Sequence, residues 1–200
     1  MSISQLYLSE LTARMPVELK SEYQVVSGAS QAEIAQLVES FPNCPLELID
    51  LLEQVNGTYY QTYGEQTVSL PILGSDVEAY PYYLKSVQQI LADQDVSYMQ
   101  DSLTERYGEW IEKQYVTIDH KIDATRPRKD WLCFADCINN GGTSSLYVDF
   151  HPTATGTVGQ VIRYLHDPDS YLVIAESFEE YLTQVMQEGF LFTEIYEDWE

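Results

Sequence analysis

The sequence predicts an α+β fold: a single domain with a mixed, mostly antiparallel sheet flanked by helices. Three observations carry that reading. Apolar residues in the first half recur at helical spacing behind capping signals. After Tyr115 the apolar period shortens to two. A strong helical pattern returns at Ser177. No repeat or low-complexity linker divides the 200 residues, so residues 1–200 read as one domain, with a helical extension over 1–29 and an acidic tail over 190–200.

The elements follow in order. A first helix is expected over about Ser4 to Met15. Ser30-Gln31-Ala32-Glu33 is a capping box, and Ile34, Leu37, Val38 and Phe41 line one face behind it. Pro45 starts the next helix, with Leu48, Leu51, Leu52 and Val55 as its stripe and Asn56-Gly57 as a left-handed cap. Val68–Leu73 reads as a strand that Pro71 confines to an edge or an end. Ser86 and Ser102 each cap a further helix, the second with Leu103, Tyr107, Trp110 and Ile111 on one face. Strands are expected at Tyr115–Asp119, Trp131–Ala135, Leu146–Phe150, Val158–Leu165 and Leu172–Ala175. Asp167-Pro168-Asp169-Ser170 suits a type I turn joining the last two. Ser177 and Glu180 form a capping box for a closing helix that Gly189 ends.

Composition bounds the function. The chain carries 10 Lys and Arg against 32 Asp and Glu, a net charge of −22. Such a chain repels phosphate backbones and anionic membranes, and it favours a basic protein partner. Lys121, Arg126, Arg128 and Lys129 gather in one segment beside Asp119, Asp123 and Asp130. That mixture predicts a loop salt-bridged back onto an acidic body rather than a nucleic-acid footprint. Three cysteines (Cys44, Cys133 and Cys137) imply no disulfide framework, which suits a cytoplasmic protein. The N-terminus lacks the pattern of a signal peptide, and no run has the ~18 apolar residues of a membrane span.

The stretch "DFHPTATGTVGQVI" (Asp149–Ile162) places an acid, a histidine and spaced glycines close together. A phosphate-cradling loop would need a helix N-terminus and usually a lysine after the glycines. Here Gln160 and a strand follow, so Gly156 and Gly159 read as turn residues. Asp149 and His151 share one side of a strand, yet no nucleophile accompanies them, and Asp149 reads as an organiser of the following loop. Cys133 and Cys137 on one strand would lie ~13 Å apart, and the histidines lack metal-ligand spacing, so neither metal nor cofactor is expected.

The stretch from Trp131 to Leu182 resembles the SUKH superfamily, the Smi/Knr-type domains of fungal cell-wall-assembly regulators and their bacterial relatives. The resemblance rests on Trp131, Gly141-Gly142 before "LYVDF", Asp149 with Pro152, "GTVGQVI" with Gly156, Gly159 and Gln160, and "IAESFEEYL" with Ser177 and Phe178. Upstream, Pro45 and the "VNG" ending at Gly57 are similar to the family's early helix, and the match spans about residues 30–186.

The resemblance implies a SUKH-like fold and a binding rather than an enzymatic role. Bacterial members are inferred to be immunity proteins that bind polymorphic toxins, often nucleases; fungal members are signalling scaffolds with disordered flanking arms. The expectation is therefore a non-enzymatic immunity-type protein that occludes a basic toxin domain. The alternatives are a regulatory scaffold in cell-wall assembly or signalling and an acid-dependent hydrolase using Asp149 and His151. Expected partner contacts are Trp131, Asn139, Asn140, Asp149 and His151, together with Tyr59 and Tyr60 from a tyrosine-rich stretch.

Overall fold

A computed structural model of the chain describes residues 1–77, 80–139 and 142–199. It opens with helices α1 (Ile3–Arg14) and α2 (Val17–Tyr23), then α3 (Gln31–Ser40) and α4 (Leu46–Gln54). A hairpin of β1 (Gln61–Tyr63) and β2 (Gln66–Val68) forms a separate two-stranded sheet. β3 (Tyr83–Leu84), α5 (Val87–Asp93), α6 (Leu103–Tyr107), α7 (Glu109–Glu112) and β4 (Thr117–Ile118) follow. The long strands are β5 (Leu132–Asn139), β6 (Gly142–Asp149), β7 (Gln160–Leu165) and β8 (Ser170–Ala175), before α8 (Phe178–Gln187) and a terminal 3₁₀ segment (Leu191–Trp199).

The main sheet runs β3-β5-β6-β7-β8-β4. Its pairings are antiparallel except β4 with β8, which is parallel. The α+β architecture and the mixed, mostly antiparallel sheet are those the sequence predicts. One face packs against the helices through a large core that includes Tyr7, Leu37, Leu51, Phe134, Leu146 and Phe178. The other face carries a smaller core built on Met99, Leu103, Tyr107, Trp131, Tyr147 and Tyr171. A central sheet with both faces covered explains why β7 reads as an almost unbroken buried run.

Local chemistry sets the helix starts. Ser2, Ser30, Ser86 and Ser102 each close a reciprocal capping box with the residue three positions on. Ser177 caps α8, but the Glu180 carboxylate accepts the Glu176 N–H instead of returning to Ser177, so the expected box is half formed.

Other expectations need correction. Only Val68 of Val68–Leu73 lies in a strand; the rest is extended chain tied down by the Leu73–Tyr82 bridge, and Pro71 lacks a ladder donor. The helix after Ser102 breaks at Gly108, at φ +49°, which leaves Trp110 exposed rather than in line with Leu103 and Tyr107. The β7–β8 hairpin forms, with Asp167 at φ +60° at the start of its turn. α4 ends on an extended Val55; Gly57, at φ +89°, serves a close approach in which an added Cβ would lie 2.5 Å from the Ser86 nitrogen.

The C-terminal segment packs. Phe192 and Tyr196 join the large core, and the Tyr196 hydroxyl donates to the Pro71 carbonyl at 2.5 Å. Among the described residues, no helix is long and apolar enough to cross a membrane.

Candidate functional site

β6 leaves the sheet at Asp149, which is 0% exposed. Its Oδ1 accepts the His151 backbone N–H at 2.9 Å, and its Oδ2 accepts from Gln160 Nε2, also at 2.9 Å. Gln160 in turn accepts the Thr157 N–H at 3.1 Å and donates to the Lys121 carbonyl at 3.3 Å. Gly159, at φ +91°, donates its N–H to the Asp149 carbonyl. A Cβ on Gly156 would stand 2.7 Å from the Lys121 carbonyl, the Gln160 Oε1 and the Pro152 ring. Burial raises the Asp149 pKa against the opposing pull of the His151 and Gln160 hydrogen bonds. Both carboxylate oxygens are thus engaged in holding the loop, and the Asp149 bond to His151 goes to its backbone rather than its ring. The exposed His151 lines a surface cavity of about 160 Å³ with Phe41, Asn43, Lys129, Asp130 and Phe150.

A larger polar cavity, of about 220 Å³, opens on the sheet face opposite the main helices. Strands supply its floor: Asp136 from β5, Ser145 and Tyr147 from β6, Tyr164 from β7. Tyr98, Arg106 and Arg128 form its walls. The bulge between Cys133 and Ala135 turns Asp136 to this face and sends Cys133 and Cys137 into the two different cores.

Asp136 belongs to a buried charge cluster. Lys85 Nζ lies 2.5 Å from the Asp93 carboxylate, 2.7 Å from that of Asp136 and 3.6 Å from Cys133 Sγ. Ser145 Oγ donates to Asp136 Oδ1. Burial penalises the Lys85 charge, but the Asp136 and Asp93 carboxylates beside it outweigh that penalty and hold its pKa above the ordinary lysine value. Burial also raises the Asp93 carboxyl, although Lys85 opposes it. Cys133, Cys44 and Cys137 are buried thiols raised by desolvation, the last two to about 12. None is poised as a thiolate nucleophile.

Beside this cluster lie three tyrosines. Tyr59, Tyr60 and Tyr83 have ring centroids 5.4 to 6.1 Å apart, and Tyr60 is 56% exposed. Tyr83 pairs in register with Asp136, so the aromatic patch joins the polar cavity across the β3–β5 edge. The combination suits recognition of a protein surface: amphipathic rings beside fixed, paired charges.

The residues singled out in the sequence separate into groups. Tyr59 and Tyr60 meet at the patch, while His151 stands exposed at the loop cavity. Trp131, 2% exposed, packs on Tyr147 and Tyr171, and Asp149 is interior; neither presents a side chain to a partner, because core and loop hold them. Asn139 ends β5, pairing with Gly142 at the start of β6. Asn140 and Gly141 lie outside the described residues. Pro45 is the N-cap of α4, and Phe178 packs edge-on to Phe134 at 5.1 Å.

Sequence reasoning missed Lys85, Arg106, Asp136 and Tyr164. A signal was present: Lys85 and Asp136 are single charges inside apolar runs, "YYLKSV" and "CFADCI", where a charge must find a partner. Among the described residues, no group of three or more His, Cys, Asp or Glu is placed to hold a metal ion.

No curated protein matches the chain. A family model, described as the SMI1 / KNR4 family (SUKH-1), matches residues 28–184, which is most of the chain.

Proposed function

The chain belongs to the SMI1 / KNR4 family (SUKH-1), and from that membership we propose a protein-binding role: a cytoplasmic immunity-type protein that neutralises a toxin domain by occluding it. The family match is the observation that carries the reading. The net charge of −22 supports it, because an acidic surface draws in a basic partner and favours a basic active-site rim as the docking target. The tyrosine patch supports it too, since Tyr59, Tyr60 and Tyr83 offer large contact area at low entropic cost.

The test is a pulldown with the product of the adjacent gene, followed by titration at several salt concentrations. A tight 1:1 complex that weakens as salt rises is expected. Binding indifferent to salt, or no partner among neighbouring gene products, overturns the reading. Membership of the SMI1 / KNR4 family is equally compatible with one second reading, a regulatory scaffold in cell-wall assembly or signalling like the fungal proteins that the sequence resembles. A gene neighbourhood of wall-synthesis enzymes without a toxin would select it.

A further inference from the structure

Acids outnumber bases about three to one in this chain, so most basic side chains have a carboxylate at hand. Arg14, Lys85, Lys113, Lys121, Arg126 and Arg163 each have a carboxylate within 4.0 Å. Among the described residues, Lys20, Arg106, Arg128 and Lys129 have none. Two of those four, Arg106 and Arg128, line the same 220 Å³ cavity.

Their surroundings make the coincidence specific. Arg128 is 3% exposed, and among the described residues its side chain donates to the Tyr98 and Asp101 carbonyls. Carbonyls solvate a guanidinium but do not cancel its charge. Arg106 is exposed and lies over the Tyr107 ring at 5.3 Å. Asp136, the acid that the described residues place on the cavity floor, is already occupied by Lys85 and Ser145. The lining therefore keeps a net positive charge inside a strongly negative molecule. Just behind the lining, Asp93 is paired with Lys85 and Asp169 accepts from the Tyr164 hydroxyl, so Arg106 and Arg128 are the charges of the lining left without a carboxylate.

We propose that this cavity is a carboxylate-binding subsite of the interface, in which Arg106 and Arg128 take an aspartate or glutamate side chain, or the C-terminal carboxylate, of the bound protein. A volume of about 220 Å³ falls below the ~300–1,000 Å³ of small-molecule sites, which fits one side chain better than a cofactor. Continuity with the tyrosine patch places the subsite where a protein surface would lie. The inference rests on the protein-binding reading for the origin of the carboxylate, while the subsite itself is testable without a partner.

The experiment follows the arginine Nε–H signals by NMR in 0.15 M NaCl. The probes are N-acetyl-glutamate methylamide, its glutamine counterpart, acetate and inorganic phosphate, each titrated into the full chain. Saturable shifts of the Arg106 and Arg128 signals with the glutamate derivative and acetate, and not with the glutamine derivative, are the expected result. Arg106→Gln, at an exposed position that leaves the core intact, should weaken that binding roughly tenfold, the value of one charged contact of about 1.4 kcal/mol. Absence of saturation, equal response to the glutamine derivative, or saturation by phosphate alone overturns the proposal. If the carboxylates bind but no protein partner is found, the protein-binding reading fails and the subsite stands as one for a free carboxylate. If a partner binds and the carboxylates do not, only the subsite fails.

Discussion

Asp149 is buried with both oxygens accepting hydrogen bonds, so the loop after β6 depends on a single side chain. Asp149→Asn would keep the shape but put an amide N–H₂ against a donor, either the His151 N–H or Gln160 Nε2. Leaving a buried donor unpaired costs about 1–3 kcal/mol, measurable at pH 7 by urea unfolding. The pH dependence has a definite sign. Burial holds the folded carboxyl above its ordinary value of 3.8, so the native state binds this proton more tightly than the unfolded chain does. The advantage of wild type over Asp149→Asn should therefore shrink as pH rises from about 4 through the raised value, then level off. An advantage that grows over that window would contradict burial as the dominant influence. The thiols give a second residue-level test. Cys44, Cys133 and Cys137 are buried and raised by desolvation, so iodoacetamide at pH 8 should leave all three unmodified in the native protein and alkylate all three in urea, as read by intact mass.

At the scale of elements, the capping boxes were the most legible part of the sequence. Ser30 and Glu33 start α3, and Asn56, beyond the end of α4, extends their network by donating to Glu33 and accepting the Val87 N–H at the start of α5. Ser30→Ala should cost about 1 kcal/mol. The Glu33 carboxyl lies below its ordinary 4.5, first because of the Ser30 backbone N–H, then the Ser30 hydroxyl and Asn56. A lowered folded value gives stability that is complete above pH 4.5 and is lost as pH falls through it. The gap between wild type and Glu33→Gln should thus be constant near neutrality and narrow below pH 4.5 in thermal melts; a constant gap down to pH 3 would refute the linkage. What escaped the sequence has physical reasons. β3 is two residues long and pairs with residues some fifty positions away, so no local period marks it. The cavity gathers Tyr98, Arg106, Arg128 and three strands, a convergence set by sheet register rather than by spacing along the chain. The loop around Asp149 was legible because Asp149 finds its partners, His151, Gly159 and Gln160, among its sequence neighbours.

For the whole molecule, charge acts in opposite senses on folding and on binding. Spread over the 9682 Å² surface, 22 net negative charges stand about 20 Å apart. That spacing lies inside the ~30 Å Debye length at 0.01 M salt and outside the ~8 Å length at 0.15 M. Self-repulsion is therefore felt in dilute buffer and largely screened at physiological salt. Raising NaCl from 0.01 to 0.15 M should lift the melting temperature, by about 2–4 °C for each kcal/mol of repulsion removed from a chain of this size. Further additions should do much less. The buried Lys85–Asp93–Asp136 cluster is shielded from salt, so it should not offset the gain. The same salt should weaken association with a basic partner, because there it screens an attraction. Measured on one sample, the melting temperature and the complex's Kd should both rise across that range. A melting temperature that falls with salt would mean that surface ion pairs such as Lys113–Glu109 and Lys121–Glu176 outweigh the net repulsion, and the acidic surface would then be a stabilising network rather than a field free to act on a partner.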